Sequence, residues 1–128
     1  MRQYFITGTN TDVGKTVISA LLCEHLKADY FKPIQTGSEE ILDANTIKTL
    51  TDTKIYDNSY KLKVPASPAF AAAKENIEID FKNIKLPDTN GKNLIVEGAG
   101  GCMVPINSWQ TTLDLISYLN IPVIIVVK

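Results

Sequence analysis

Several residue types and patterns are scarce in this chain, and each scarcity removes a class of function. Among 128 residues there are two cysteines, Cys23 and Cys102, with no C-x-x-C and no zinc-type spacing. A disulfide framework and a thiolate metal centre are therefore both excluded, and a reducing, cytoplasmic setting is expected. His25 is the sole histidine. It falls late in a helical pattern, where an imidazolium suits the helix dipole better than it suits catalysis. No apolar run approaches the roughly 20 residues that span a bilayer, and Met1-Arg2-Gln3-Tyr4 leads directly into a strand without a signal-peptide pattern. The net charge is −1, with Lys and Arg spread along the chain, so neither a nucleic-acid footprint nor a polybasic membrane patch is expected. Internal repeats, linkers and low-complexity segments are absent. With 45% hydrophobic and 21% charged residues, the length and composition suit one domain, residues 1–128, with a packed core.

What is present centres on residues 8–17, Gly-Thr-Asn-Thr-Asp-Val-Gly-Lys-Thr-Val. Tyr4-Phe5-Ile6 leads in as an apolar strand and a helical pattern leads out, the context of a phosphate-binding loop. Gly14 lets the backbone approach a phosphate closely. Successive N–H groups and the helix start offer positive partial charge to an anion. Lys15 can reach the β- and γ-phosphates, and the Thr16 hydroxyl can ligate Mg²⁺. The strict pattern G-x-x-x-x-G-K-[ST] places its first glycine at position 9. Here Thr9 stands there and Gly8 comes one residue early.

Along the chain, Gln3–Thr7 reads as a buried strand and Lys15–Lys27 as a helix with Val17, Ile18, Ala20, Leu21, Leu22 and Leu26 on its apolar face. Cys23 falls on that face as a core residue. Asp29–Pro33 reads as a second strand. Its Lys32 is either directed to the edge where α/β proteins bind ligands or a solvated surface lysine. Residues 33–38, Pro-Ile-Gln-Thr-Gly-Ser, read as a ligand loop, and Ile41–Leu50 as a helix with Asp43 in its first turn, where an acid ordinarily only stabilises the dipole. Residues 51–63 carry no clear pattern. Ser67 and Pro68 fit the N-cap and first position of a helix over 68–74. Residues 80–86 suggest a short helix, and 87–91 a turn. Asn93–Val96 is a buried strand ending in Glu97-Gly98-Ala99-Gly100-Gly101. Glu97 is either a metal-holding acid or an exposed residue in a glycine turn. A helix over 112–119 and a buried strand over 121–127 follow. Alternating strands and helices imply a mostly parallel sheet with helices on both faces, a three-layer α/β/α, P-loop NTPase-like fold.

Four blocks together, Gly8 to Thr16, Lys32-Pro33-Ile34-Gln35-Thr36-Gly37, Pro65-Ala66-Ser67-Pro68 and Val96-Glu97-Gly98-Ala99-Gly100-Gly101, resemble dethiobiotin synthetase in order and spacing. The early glycine is itself a feature of that family. The resemblance implies ATP- and Mg²⁺-dependent closure of a ureido ring on 7,8-diaminononanoate with CO₂, in a cytoplasmic homodimer whose site lies at the subunit interface. It implies that Lys15 and Lys32 are catalytic, and that Thr16, Asp43 and Glu97 ligate Mg²⁺. Asp12, Val13, Gly14, Lys15, Thr16, Val17, Asp43, Glu97, Gly98, Ala99 and Gly100 would line the nucleotide, and Thr11, Asp12 and Thr36 the diamine. Family members continue beyond Lys128 with further strands, adenine-recognition loops and a helix start that binds the substrate carboxylate, so the chain reads as truncated at its C-terminus.

Three other functions stay open at this stage. One is an ATP-dependent amidoligase of the cobyrinic acid diamide synthase type, whose loop after the second strand differs from Lys-Pro-Ile-Gln-Thr-Gly. Another is a nucleotide-switch ATPase of the partitioning type, which carries a second lysine where this chain has Thr9, Asn10 and Thr11. A third is a non-enzymatic nucleotide-binding remnant.

Overall fold

The computed structural model describes every residue except Asp12 and Ser38, and describes residues 39–44 by their backbone alone. Five strands form the main sheet: β1 (Gln3–Gly8), β2 (Asp29–Phe31), β4 (Ile55–Tyr56), β6 (Leu94–Gly101) and β7 (Val123–Val126). They lie in the order β4-β2-β6-β1-β7, and every pairing is parallel. Two further strands, β3 (Ile34–Thr36) and β5 (Tyr60–Leu62), make a separate parallel pair.

Alternation of side chains along β1 and β6 divides the core in two. Ile6, Tyr30 and Ile95 face α1 (Lys15–Leu26) and α2 (Glu39–Leu50), packing with Ala20, Cys23 and Ile47. Phe5, Phe31, Leu94 and Val96 face the opposite way, towards α3 (Pro68–Lys74) and α4 (Thr112–Leu119), packing with Ala71, Ala72 and Leu115. A sheet buried on both faces explains the near-continuous apolar runs of the central strands. No helix among the described residues is long and apolar enough to cross a membrane.

The ends of the elements follow local chemistry. Gly14 caps α1 at φ 99°, in the left-handed region that glycine enters without penalty. Lys27 at φ 53° closes its other end by donating its N–H to the Cys23 carbonyl. Thr111 and Asp114 form a capping box at the start of α4. Pro68 sits in the first turn of α3 after Ser67, as the sequence suggests, although the Ser67 hydroxyl makes no capping bond.

Four expectations need correction. The strand expected over 29–33 ends at Phe31, and the expected loop 33–38 contains β3. Proline explains the break: Pro33 cannot donate to a ladder, and its carbonyl instead accepts from Ser59 and Tyr60 N–H at 2.8 and 2.9 Å, which starts the second sheet. That sheet also structures part of the unreadable stretch 51–63. The strand expected over 93–96 runs on as β6 to Gly101, with the register against β1 slipping between Ile6–Glu97 and Gly8–Gly101. Gly100, at φ 71°, lies within the irregular segment. The helix expected over 80–86 is one 3₁₀ turn, Phe81–Asn83, capped by the Asp80 carboxylate. Within residues 1–128, β7 ends the strand order, with Ile125 53% exposed.

Cys23 occupies the core as expected, at 1% exposure. Burial is the main reason its thiol is pushed from an ordinary value of 9.0 up to about 12; the negative charges of Asp29 and Glu97 add to the rise, and a bond from Thr53 opposes it. The folded state holds this proton more tightly than the unfolded chain. The associated stability is complete below the unfolded thiol value and is lost as pH rises towards 12. Urea unfolding midpoints should therefore fall between pH 9 and 11, and fall less in Cys23→Ala. At pH 8 a thiol reagent should label Cys102 in the native protein and reach Cys23 only after denaturation. Equal labelling rates would contradict the burial argument.

Candidate active site

The three central strands β2, β6 and β1 carry the motif residues at or beyond their C-terminal ends, the edge at which parallel α/β sheets bind ligands. β1 ends at Gly8, and the loop that follows returns at Gly14 to begin α1. A Cβ at position 8 would stand 2.5 Å from Val13 Cγ2 and 3.1 Å from the Asn10 carbonyl oxygen. Close approach of the loop to its own strand thus fixes glycine at position 8, and Thr9, whose N–H donates to Val126, needs no such absence of a side chain. The loop is drawn together by Thr11 N–H donating to Asn10 Oδ1 at 2.8 Å and by Lys15 Nζ donating to the Asn10 carbonyl at 3.5 Å. Lys15 is 8% exposed. A buried ammonium folded over its own loop is the arrangement that an anion between loop and lysine would complete.

Glu97 is the meeting point of the motifs. Its side chain is 2% exposed, and a carboxylate that deep requires partners. Thr16, in the first turn of α1, donates its hydroxyl to Oε2 at 3.1 Å. Tyr30, on β2, donates its hydroxyl to Oε1 at 3.0 Å. Lys32 Nζ lies 3.8 Å from Oε2, with its own side chain 11% exposed. Chain segments far apart in sequence are thereby tied through one carboxylate. The parallel pairing of β2 with β6, Tyr30 opposite Ile95, sets this up, since one further alternation along both strands brings Lys32 and Glu97 to the same face.

The oxygens at this point are a hydroxyl and a carboxylate, the hard donors that Mg²⁺ selects. Among the described residues, no group of three or more His, Cys, Asp or Glu could hold a metal ion. A donor set this small matches a magnesium that keeps waters and takes its other ligands from nucleotide phosphates.

Beside Lys32 opens a cleft of about 360 Å³ lined by Thr11, Lys32, Gln35, Thr36, Ala99 and Gly100, together with Pro65 to Pro68. All four motif blocks thus contribute to the lining of one cleft. Gly98 lies apart from this lining and packs on Phe5, whose ring would meet a Cβ at 2.9 Å. Val17 is an exposed residue of the first turn of α1, and Val13 packs against Gly8. Asp12 and the side chain of Asp43 lie outside the described residues. Sequence reasoning missed Tyr30 and Gln35. Tyr30 stands two residues before Lys32, on the same face of an extended chain, and that spacing was its available signal.

A family model described as an AAA domain matches residues 2–128. The chain is 52% identical over 124 residues to the ATP-dependent dethiobiotin synthetase BioD of Lawsonia intracellularis, an overlap covering 97% of this chain and 60% of the relative. It is 49% identical over 129 residues to the protein of the same name from Cytophaga hutchinsonii, covering 98% and 62%. It is 43% identical over 131 residues to the biotin biosynthesis bifunctional protein BioCD of Bordetella avium, covering 99% of this chain and 28% of that one. The chain spans about three fifths of the length of the first two relatives.

Proposed function

The chain belongs to this AAA-domain family, and we propose that it carries the phosphate-binding and ring-forming part of an ATP-dependent dethiobiotin synthetase. The substrates are 7,8-diaminononanoate, CO₂ and ATP, and the products dethiobiotin, ADP and phosphate. The observation that carries the reading is the convergence of Thr16, Lys32 and Glu97 within contact distance, from three motif blocks that the resemblance assigns to one reaction.

One amine of the diamine takes up CO₂ and loses a proton, giving a carbamate. Lys32, which lines the cleft with Thr11 and Thr36, supplies the positive charge that holds this anion. The carbamate oxygen attacks the γ-phosphorus and ADP departs, leaving a carbamic–phosphoric anhydride. Lys15 and the loop N–H groups stabilise charge on the transferring phosphoryl group, for which fixed cations and dipoles suffice. The second amine attacks the carbonyl carbon, phosphate leaves, and the ureido ring closes. Bound Mg²⁺ would neutralise phosphate charge, held by Thr16 and Glu97 and, on the family pattern, Asp43. Asp12 attracts the diamine's ammonium, and Val13, Gly14, Val17, Gly98, Ala99 and Gly100 lie along nucleotide or substrate. We further read residues 1–128 as one P-loop unit of a cytoplasmic homodimer.

Incubating the intact protein with labelled bicarbonate, the diamine and ATP should give an acid-stable labelled product in amounts matching the ADP released. An absence of acid-stable label with the intact protein would overturn the assignment. ATP consumption without label would favour the nucleotide-switch alternative.

A further inference from the structure

We propose that Tyr30 is a positioning residue for Glu97: its hydroxyl pins one carboxylate oxygen so that the other stays aimed at the phosphate loop for a divalent cation. The inference rests on the preceding reading in one respect, that Glu97 faces a metal–nucleotide.

The two oxygens of Glu97 are differently engaged. Oε1 accepts from the Tyr30 hydroxyl at 3.0 Å. Oε2 faces Thr16 Oγ1 at 3.1 Å and Lys32 Nζ at 3.8 Å. Thr16 and Lys32, which would share the cation's neighbourhood, both face Oε2. Rotation of the carboxylate away from this orientation would turn Oε2 off Thr16, and Tyr30 opposes it because the bond is charge-assisted and lies out of water. The phenol cannot follow a rotating carboxylate. Tyr30 is 2% exposed and sits in the core against α1, with Ile6, Cys23 and Ile95 in the same cluster. It also belongs to β2 and Glu97 to β6, strands hydrogen-bonded in fixed register. Both ends of the contact are therefore held by the sheet, which is what distinguishes a positioning contact from a passing one.

A buried tyrosine whose hydroxyl merely needs an acceptor is the competing account. The two differ in what the removal of one oxygen atom changes. Tyr30→Phe keeps the ring and removes the one bond from Tyr30 to Oε1. Binding of Mn²⁺ in the presence of ADP, read by the loss of free-Mn²⁺ signal in electron paramagnetic resonance, should weaken by about tenfold, the scale of one hydrogen bond to a charged group. Binding of ADP in the absence of any divalent ion should stay within twofold of wild type. A purely structural role predicts a lower melting temperature with both affinities unchanged, and that result overturns the proposal. If Tyr30→Phe does not fold, 3-fluorotyrosine at position 30 of the otherwise native chain replaces it. Its fluorine resonance should move when Mg²⁺ is added to the ADP-bound protein, and a resonance indifferent to Mg²⁺ overturns the proposal equally. Failure of wild type to bind Mn²⁺ with ADP would instead count against the functional reading.

Discussion

Lys32→Ala should lower ring closure by about a hundredfold to a thousandfold, the range seen when one preorganised charge stabiliser is deleted, while nucleotide still binds. The split follows from place. Lys32 lies just beyond β2 and lines the cleft with Thr11 and Thr36, whereas the phosphate loop is built from residues 8–16 and holds itself together through Asn10 and Lys15. Lys32 is also in contact with a buried carboxylate, so its loss has a second effect. Breaking a buried ion pair from one side costs about 3–5 kcal/mol because a charge is left behind. A double variant, Lys32→Ala with Glu97→Gln, separates the two contributions. Stability should recover towards wild type in the double variant, and labelled-bicarbonate fixation should not. Lys32→Arg keeps the charge but spreads it over a rigid fork, so it should restore stability better than activity. Wild-type turnover in Lys32→Ala would remove the residue from the mechanism.

Gly8→Ala is the second large effect expected, and it is paired with a near-silent neighbour. The added methyl must displace Val13 or the backbone around Asn10, since both are within 3.1 Å of where it would stand. Overpacking of this kind costs about 1–3 kcal/mol. The displaced segment carries the loop N–H groups, so ADP affinity should fall together with the urea midpoint. Thr9→Gly, which restores the strict phosphate-loop pattern, should change neither by comparable amounts, since nothing at position 9 requires glycine. An unperturbed Gly8→Ala would show that Val13 yields freely and that the early glycine has another cause.

The central architecture was legible because three strands are buried on both faces and announce themselves as apolar runs: Phe5-Ile6, Tyr30-Phe31 and Leu94-Ile95-Val96. The helix following Ser67 was legible from its cap and proline, and the one following Gly14 from its apolar face. What escaped has specific reasons. β3 and β5 are three residues each and stabilise one another across a gap of more than twenty positions, so neither has a local signature. Within the site, Lys32 and Glu97 were each ambiguous alone. Their pairing depends on β6 lying next to β2, although β6 comes more than sixty residues later in the chain. Tyr30 was hidden by the same gap, since a core tyrosine declares a polar duty only when the acceptor opposite it is known.

The proline that ends β2 carries a last consequence. Lys32 sits at the joint between two separately hydrogen-bonded sheets. Its carbonyl accepts from Asn58 Nδ2 at 2.7 Å, and that of Pro33 from Ser59 and Tyr60 N–H. The seat of the proposed catalytic ammonium is thus clamped from one short segment, 58–60, that touches no phosphate motif. Two of the three clamping groups are backbone amides, whose hydrogens exchange with solvent only when the clamp opens. Deuterium uptake at Ser59 and Tyr60 therefore clocks how often the lysine's backbone is unseated, in an unlabelled protein and without any substrate present.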